Sequence, residues 1–327
     1  MRSRSLLGLV VAVLFLGGLV AGVGGAIVFG PNTTGYDAPR SVFLPRNPSL
    51  DAAIDSLDRA GILAAPASFR LVATATGWGD QIKSGHYRIP PRSSNYRVLD
   101  KLRRGLQDPV RVMIPAGRRT DDLAEAMGRV LERDVEVFRT VFHDTTFARE
   151  LGTTPSRLFG YMLPETYEFY WQTPPETVVR RVKRAFDRFY ERELAAAADS
   201  LGFTKREVVT LASIVEEEAL FDREKPRIAG VYLNRMEQGW PLQADPTVQY
   251  ALMDRGGERV TRVLYEHLEI DHPYNTYQIQ GLPPGPIANP SPSSLRAAAS
   301  PERHEYFYFA ADGTGGHTFS RTLREHN

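Results

Sequence analysis

The chain contains no cysteine, which excludes a disulfide framework, a thiolate metal site and a cysteine nucleophile together. It also lacks net charge. Forty lysines and arginines face 39 aspartates and glutamates, so no global field favours nucleic acid or another polyanion as a partner. The Gly-x-Ser-x-Gly elbow, Ser-x-x-Lys, His-Glu-x-x-His and the phosphate loop are all missing, and with them the reaction classes those motifs serve. Seven histidines are scattered without metal-ligand spacing. An isolated histidine is commonly a satisfied structural residue, so no metal and no cofactor are expected. Internal repeats at a solenoid period and low-complexity segments are absent as well. What remains is a chain of 327 residues, 24% charged and 42% hydrophobic, which suffices for one large or two modest domains with real cores.

One long apolar run is present. Arg2 and Arg4 precede an uncharged stretch from Leu6 to Phe29, long enough to cross a hydrocarbon core of about 30 Å. A cleaved signal peptide is the alternative, and Ala21-Gly22-Val23-Gly24 offers small residues for cleavage. Signal peptides, however, have apolar cores of only about 7–15 residues. Arginines on the short side place that end in the cytoplasm and send the rest across. The expectation is a single-pass protein of the cytoplasmic membrane, N-terminus inside, with its working part extracytoplasmic.

Along the rest of the chain the expected fold class is α+β. Residues 1–30 form a cytoplasmic tip and transmembrane helix, and residues 31–40, polar and rich in Gly, Pro, Asn and Thr, suit a tether. Residues 41–110 mix helix and strand signals: a helix from Ser49-Leu50-Asp51 to about Gly61, a segment Phe69 to Thr76, a strand over Ser84 to Ile89, and a helix from Tyr96 to Arg104. After a strand from Val110 to Ile114, residues 111–327 read as mainly helical, with helices over Thr120 to Leu131 and Glu136 to Phe142. A longer helix opens where Thr173 and Glu176 form a capping box around Pro174 and Pro175 and runs towards Leu201. Its cations Arg180, Arg181, Lys183, Arg184 and Arg188 read as a solvated outer face. Aromatic alternation from Glu305 to Phe319 around Asp312-Gly313 predicts a C-terminal β-hairpin.

The chemistry-bearing candidate is Leu211-Ala212-Ser213-Ile214-Val215-Glu216-Glu217-Glu218-Ala219. Val208, Leu211, Ala212, Val215 and Ala219 recur at helical spacing and mark a buried stripe. At about 100° per residue Glu217 points away from that stripe into solvent, while Glu216 and Glu218 flank its edges. A carboxyl at such an edge loses water on one side, which raises its pKa and suits it to general-acid work near neutral pH. Periodicity does not choose between the two, and a run of glutamates on a helix is also ordinary surface charge.

The segment Leu211 to Tyr250 resembles the endolytic murein transglycosylase family, the YceG-like proteins. Matching stretches follow in the same order: Leu158 to Tyr167 upstream, then Tyr274-Asn275-Thr276-Tyr277, Gly281 to Ile287 and Gly315-Gly316-His317-Thr318-Phe319. The resemblance extends from the membrane segment to the C-terminus. It implies that Glu216, directly after Ser-Ile-Val, is the catalytic acid, and that Glu218 is the motif's second glutamate, a substrate-binding candidate. It implies further that residues 41–110 are LysM-like and that residues 111–327 form the catalytic domain. Two departures, Phe159 where the family often has Glu and Glu217 where it often has Lys, bear on substrate contacts near the first loop and on the pKa of Glu216.

The implied reaction is lytic cleavage of nascent peptidoglycan strands between N-acetylmuramic acid and N-acetylglucosamine, leaving 1,6-anhydromuramoyl ends and terminating strand elongation. Because the muramoyl 6-hydroxyl already lies near C1, no nucleophilic carboxylate is needed. Gln243, Tyr274, Asn275 and Tyr277 carry groups suited to sugar and acetamido recognition. The tyrosines read equally as packing residues. Asp245 before Pro246 reads as a helix N-cap, and the Pro- and Gly-rich loop of residues 281–290 as a cleft wall or as a stiff connection. A hydrolytic muramidase would need a second carboxylate, for which Glu165 and Asp245 are the candidates. A non-catalytic glycan-binding scaffold is the rival from another class. Expected partners are glycan strands, the membrane and peptidoglycan synthases or division proteins, with no nucleic acid.

Overall fold

The structure, a computed structural model, describes residues 2–260 and 262–327, with the side chains of residues 2–8 left out. The expectation placed on Arg2 and Arg4 lies outside the described side chains. The fold mixes helix and strand and is mostly helical, and the chain divides into two compact units. One holds residues 1–110 with 168–172; the other holds 111–167 with 173–327.

The first unit opens on helix Arg2–Phe29. Its apolar portion, Leu9–Phe29, has 21 residues, a mean hydropathy of 2.4 and no buried share. At 1.5 Å per residue such a stretch covers about 30 Å, the thickness of a bilayer core. Strand Arg40–Leu44, helices Leu50–Arg59 and Pro66–Thr76, strand Gly85–Ile89 and helix Asn95–Arg104 follow. The strands pair antiparallel from Arg40↔Ile89 to Leu44↔Gly85. That register turns Val42, Leu44, Tyr87 and Ile89 to one face, buried in a core shared with Leu57, Phe69, Leu99 and Leu102. Two helix starts follow their capping serines, since Ser49 accepts from Ala52 N–H and Ser94 from Arg97 N–H.

The expected tether of residues 31–40 is corrected at its beginning. Asn32 and Thr33 are buried. Asn32 Nδ2 donates to Asn95 Oδ1 (2.6 Å) and to Ala65 O (3.1 Å), and Ala65 N–H donates to Asn32 Oδ1 (2.8 Å). A polar segment cannot build an apolar core, but it is readily buried once its amide groups are paired.

The second unit is built around helix Lys205–Glu218, opened by a capping box in which Thr204 N–H donates to Glu207 and Glu207 N–H to Thr204 Oγ1. Every residue from Val208 to Val215 is buried. The helix is therefore a core helix, buried all round rather than along one stripe, and its polar members bond within the protein: Ser213 donates to Thr210 O and accepts from Ile287 N–H. Helices Lys225–Glu237, Asp245–Asp254 and Pro292–Ala299 pack beside it. The expected C-terminal hairpin is present, Tyr308–Ala311 pairing antiparallel with His317–Ser320.

Three local expectations are corrected here. The long helix begins at Pro175 with Pro174 in the cap position and no side-chain cap bond, and it stops at Glu193 before a separate helix Ala195–Ser200. Asp245 is the first helical residue rather than the N-cap, a place taken by Ala244. Lys183 does not belong to a solvated face, being buried with its ammonium on the Asp187 carboxylate at 2.7 and 2.8 Å.

Replacing Asn32 by Ala leaves Ala65 N–H and Asn95 Oδ1 without their partner. Such unpaired buried groups cost about 1–3 kcal/mol. Urea unfolding of the full chain in detergent, followed by tryptophan fluorescence, should show a lower midpoint for Asn32→Ala, whereas an unchanged midpoint would mean that the segment is a tether after all.

Candidate active site

Helix Lys205–Glu218 ends on three consecutive glutamates, and each meets a different environment. Glu217 is not the solvated residue expected from periodicity. Its side chain is 11% exposed and pairs with Arg259 Nη2 at 2.8 Å. Gly117, at φ +67°, comes so near that an added Cβ would stand 3.0 Å from the Glu217 carboxylate.

Glu216 sits in a cage of donors. Its carboxylate accepts from the hydroxyls of Ser291 and Ser294, from Ser291 N–H at 3.0 Å and from Lys225 Nζ at 3.3 Å. Ser291 is the N-cap of helix Pro292–Ala299, so the carboxylate lies at the positive end of that helix's dipole. Burial is the largest influence on Glu216 and pushes its pKa up, but the serine hydroxyls, the Ser291 amide and Lys225 outweigh it and hold the pKa below the usual 4.5. The expectation of a raised pKa at Glu216 is thereby reversed. This carboxyl is an anion at neutral pH and borders a cavity of about 540 Å³ with Gly117, Arg118, Asp222, Arg259 and Ser293.

Glu218 has the opposite surroundings. Among the described residues its one hydrogen bond comes from the hydroxyl of Tyr232, at 2.8 Å, and no cation bonds it. Burial pushes its pKa from 4.5 up to about 7, and the nearby Asp245 charge adds to the rise, while the Tyr232 bond, His317 and Arg235 act against it. Glu218 opens on a cavity of about 290 Å³ whose other walls are Arg235, Gln243, Asp245, Tyr277, Phe309, Ala310, Ala311 and His317.

Of the residues read from the sequence, this cavity brings together Glu218, Gln243, Tyr277 and Asp245. Tyr277 donates its hydroxyl to Asp245 Oδ1 at 2.6 Å. Gln243 is held at φ +51°, a left-handed conformation that a non-glycine residue adopts at a cost of about 1–3 kcal/mol. Its N–H bonds Thr276 O, which fixes the strained backbone and leaves the side chain at the cavity wall. Asn275 is corrected to an internal residue. It is fully buried, donating to Leu268 O and Ile270 O and accepting from Tyr277 N–H. Tyr274 is buried too, its ring against Tyr250 with centroids 4.5 Å apart. Glu165 lines neither of the two cavities.

Sequence reasoning missed Tyr232, Arg235, Phe309 and His317. Arg235 bonds Phe307 O and Leu242 O and lines the cavity with Glu218 and Asp245. The only sequence signal for His317 is its place in the Gly315-Gly316-His317 stretch. Among the described residues no group of His, Asp and Glu is arranged to hold a metal ion.

Comparison with known proteins places this geometry among relatives. The YceG-like family profile matches residues 42–327. A protein of Bacillus subtilis named endolytic murein transglycosylase is 29% identical over 93% of this chain and 89% of its own. A protein of the same name from Streptococcus pneumoniae is 27% identical over 87% of this chain, which spans 56% of that longer relative. The crystal structure of a yceG-like protein from Listeria monocytogenes superposes with a TM-score of 0.63 at 27% identity, covering 89% of this chain and 98% of that one.

A glutamate with a folded pKa near 7 against 4.5 is neutral in both the folded and the unfolded chain at pH values below 4.5. As pH rises from there through 7, the unfolded chain ionises first and folding loses up to roughly 3 kcal/mol, at about 1.4 kcal/mol per unit. Glu218→Gln removes that loss. Thermal melts should show the variant gaining more stability over the parent at pH 8 than at pH 5, and an equal difference at both values would refute the raised pKa.

Proposed function

The chain belongs to the YceG-like family, and from that membership together with the Glu218 cavity we propose that it is an endolytic murein transglycosylase, a lyase that cuts nascent peptidoglycan strands and leaves 1,6-anhydromuramoyl ends. The observation that carries the mechanism is the partly buried carboxyl of Glu218, bonded among the described residues by the Tyr232 hydroxyl, beside groups able to hydrogen-bond sugar. A general acid works best with a pKa near the working pH. On this reading Glu218, rather than the ionised Glu216, protonates the glycosidic oxygen between N-acetylmuramic acid and N-acetylglucosamine. The bond to C1 breaks, and the muramoyl 6-hydroxyl closes on C1 as it gives its proton to Glu218, now ionised, or to another base in the cavity. Gln243 and Arg235 supply donors for the sugar hydroxyls and acetamido carbonyls and the Tyr277 oxygen an acceptor, while Glu216 fastens the end of the glutamate helix to helix Pro292–Ala299.

The remaining assignments rest on the same family reading. Residues 1–30 anchor the protein as a single pass in the cytoplasmic membrane, N-terminus inside, and the catalytic domain of residues 111–327 lies outside. Residues 41–110 form a LysM-like module, supported by two helices between the strands of one antiparallel pair. Synthases or division proteins are the partners proposed beside the glycan. A second reading, hydrolysis, is favoured by Asp245, a carboxylate in the same cavity as Glu218, since ordinary glycosidases use a pair.

Mass spectrometry of uncrosslinked nascent glycan incubated with the full-length protein in detergent separates these readings. Internal 1,6-anhydromuramoyl ends are expected from the parent, with a loss of about 10²–10⁴-fold in Glu218→Gln and less than tenfold in Glu216→Gln. Reducing muramoyl ends would make the protein a hydrolase. The larger loss in Glu216→Gln would return the acid role to that residue, and glycan binding without cleavage by the parent would leave a scaffold.

A further inference from the structure

We infer that His317 is the base that takes the proton from the muramoyl 6-hydroxyl, with Glu224 as the residue that positions its ring; the inference rests on the transglycosylase reading of the Glu218 cavity. His317 opens the last strand of the hairpin, and its Nδ1 lies 2.9 Å from Glu224 Oε2. The same carboxylate accepts from His317 N–H through Oε1 at 3.3 Å. Both groups are nearly closed off, at 12% and 13% exposure. A carboxylate that accepts from Nδ1–H leaves the neutral ring with Nε2 as its acceptor. The ring's position is fixed from a second side by Phe309, edge-on at 5.3 Å between centroids. Gly316 permits the approach, for a Cβ there would stand 2.8 Å from Glu224 Oε1 and 2.9 Å from Asp312 Oδ2.

His317 and Glu218 share the cavity wall without bonding each other. Phe309 lies between their supports, packing edge-on against Tyr232, the donor to Glu218, and against His317. An acid and a base held apart across one sugar-sized space suit the two proton movements of the reaction. The proton on O6 passes to His317 Nε2 as O6 bonds C1; the C1–O4 bond breaks and O4 takes the proton of Glu218. The cycle closes when the imidazolium returns its proton to the Glu218 carboxylate. Groups that share in setting the charge on His317 are Glu224, Asp312 of the hairpin turn, Glu218, Arg235, Asp245 and Tyr277.

The test is the pH dependence of kcat/KM for the full-length protein in detergent, with product ends identified in every assay. With two groups at work the parent should fall on the alkaline side, as Glu218 ionises, and on the acid side, as His317 protonates. His317→Gln should lose about 10²–10⁴-fold together with the acid-side fall, and His317→Ala should regain activity on addition of imidazole. Glu224→Gln should lower kcat more than tenfold with KM little changed. The inference is overturned if His317→Gln stays within threefold of the parent, or if its activity drops while the acid-side fall persists and imidazole restores nothing, which would mark a structural histidine. Reducing ends from the parent would instead sink the underlying transglycosylase reading, a result independent of how His317 behaves.

Discussion

Successive side chains on an α-helix diverge by about 100°, so three consecutive glutamates at a helix end cannot share one environment. The rest of the second unit is arranged around that divergence. Glu216 is turned to Ser291, Ser294 and Lys225, Glu217 to Arg259, and Glu218 to Tyr232 and the hairpin. All three stand at the negative end of one helix dipole, which disfavours anions. Each neighbourhood answers this in its own way: by hydroxyls and a second helix's positive end, by a guanidinium, or by leaving the carboxyl protonated.

That third answer is what the acid role proposed for Glu218 requires. An ionised carboxylate matched by four donors is stable and a poor acid, whereas a carboxyl deprived of water and given only a tyrosine hydroxyl keeps its proton to about pH 7. Two carboxyls of one type thus take two roles by environment alone. The residues that line the cavity beside Glu218 come from far along the chain. Gln243 precedes one helix, Asp245 opens it, Tyr277 follows it, and Phe309 and His317 belong to the terminal hairpin. The strain at Gln243 is held by the Thr276 carbonyl, so the cavity depends on long-range closure rather than on the glutamate helix itself.

Much of the helical frame was legible because its signals are local. Ser49 and Ser94 cap where capping serines should, the stripe of Val208, Leu211, Ala212 and Val215 reads as buried, and the aromatic alternation before Phe319 forms the hairpin. What escaped was whatever depends on a distant partner. Strand Arg40–Leu44 shows its period only against Gly85–Ile89. Asn275 looked like a sugar-binding amide, yet the carbonyls of Leu268 and Ile270 take its donors. Periodicity correctly put Glu216 and Glu218 at the edges of a buried face but left them equivalent; Ser291, 75 residues downstream of Glu216, breaks the tie. Resemblance chose the first glutamate, and the donors around it argue for the second.

The serine cage also bears on why an ionised Glu216 stands two residues before the protonated Glu218. The last turn of a helix frays easily, because its carbonyls lack intrahelical partners. Here the turn carrying Glu218 is tied through Glu216 to the first turn of helix Pro292–Ala299 by a backbone amide, two hydroxyls and an ammonium. Charge-assisted bonds of this kind are shorter and stronger than neutral ones. They oppose the tendency of a desolvated carboxyl to swing out and regain water, a motion that would lower the Glu218 pKa and disarm it as an acid. The anion at Glu216 therefore stabilises the neutral state of Glu218 by geometry, and its charge, which disfavours a second carboxylate nearby, acts in the same direction.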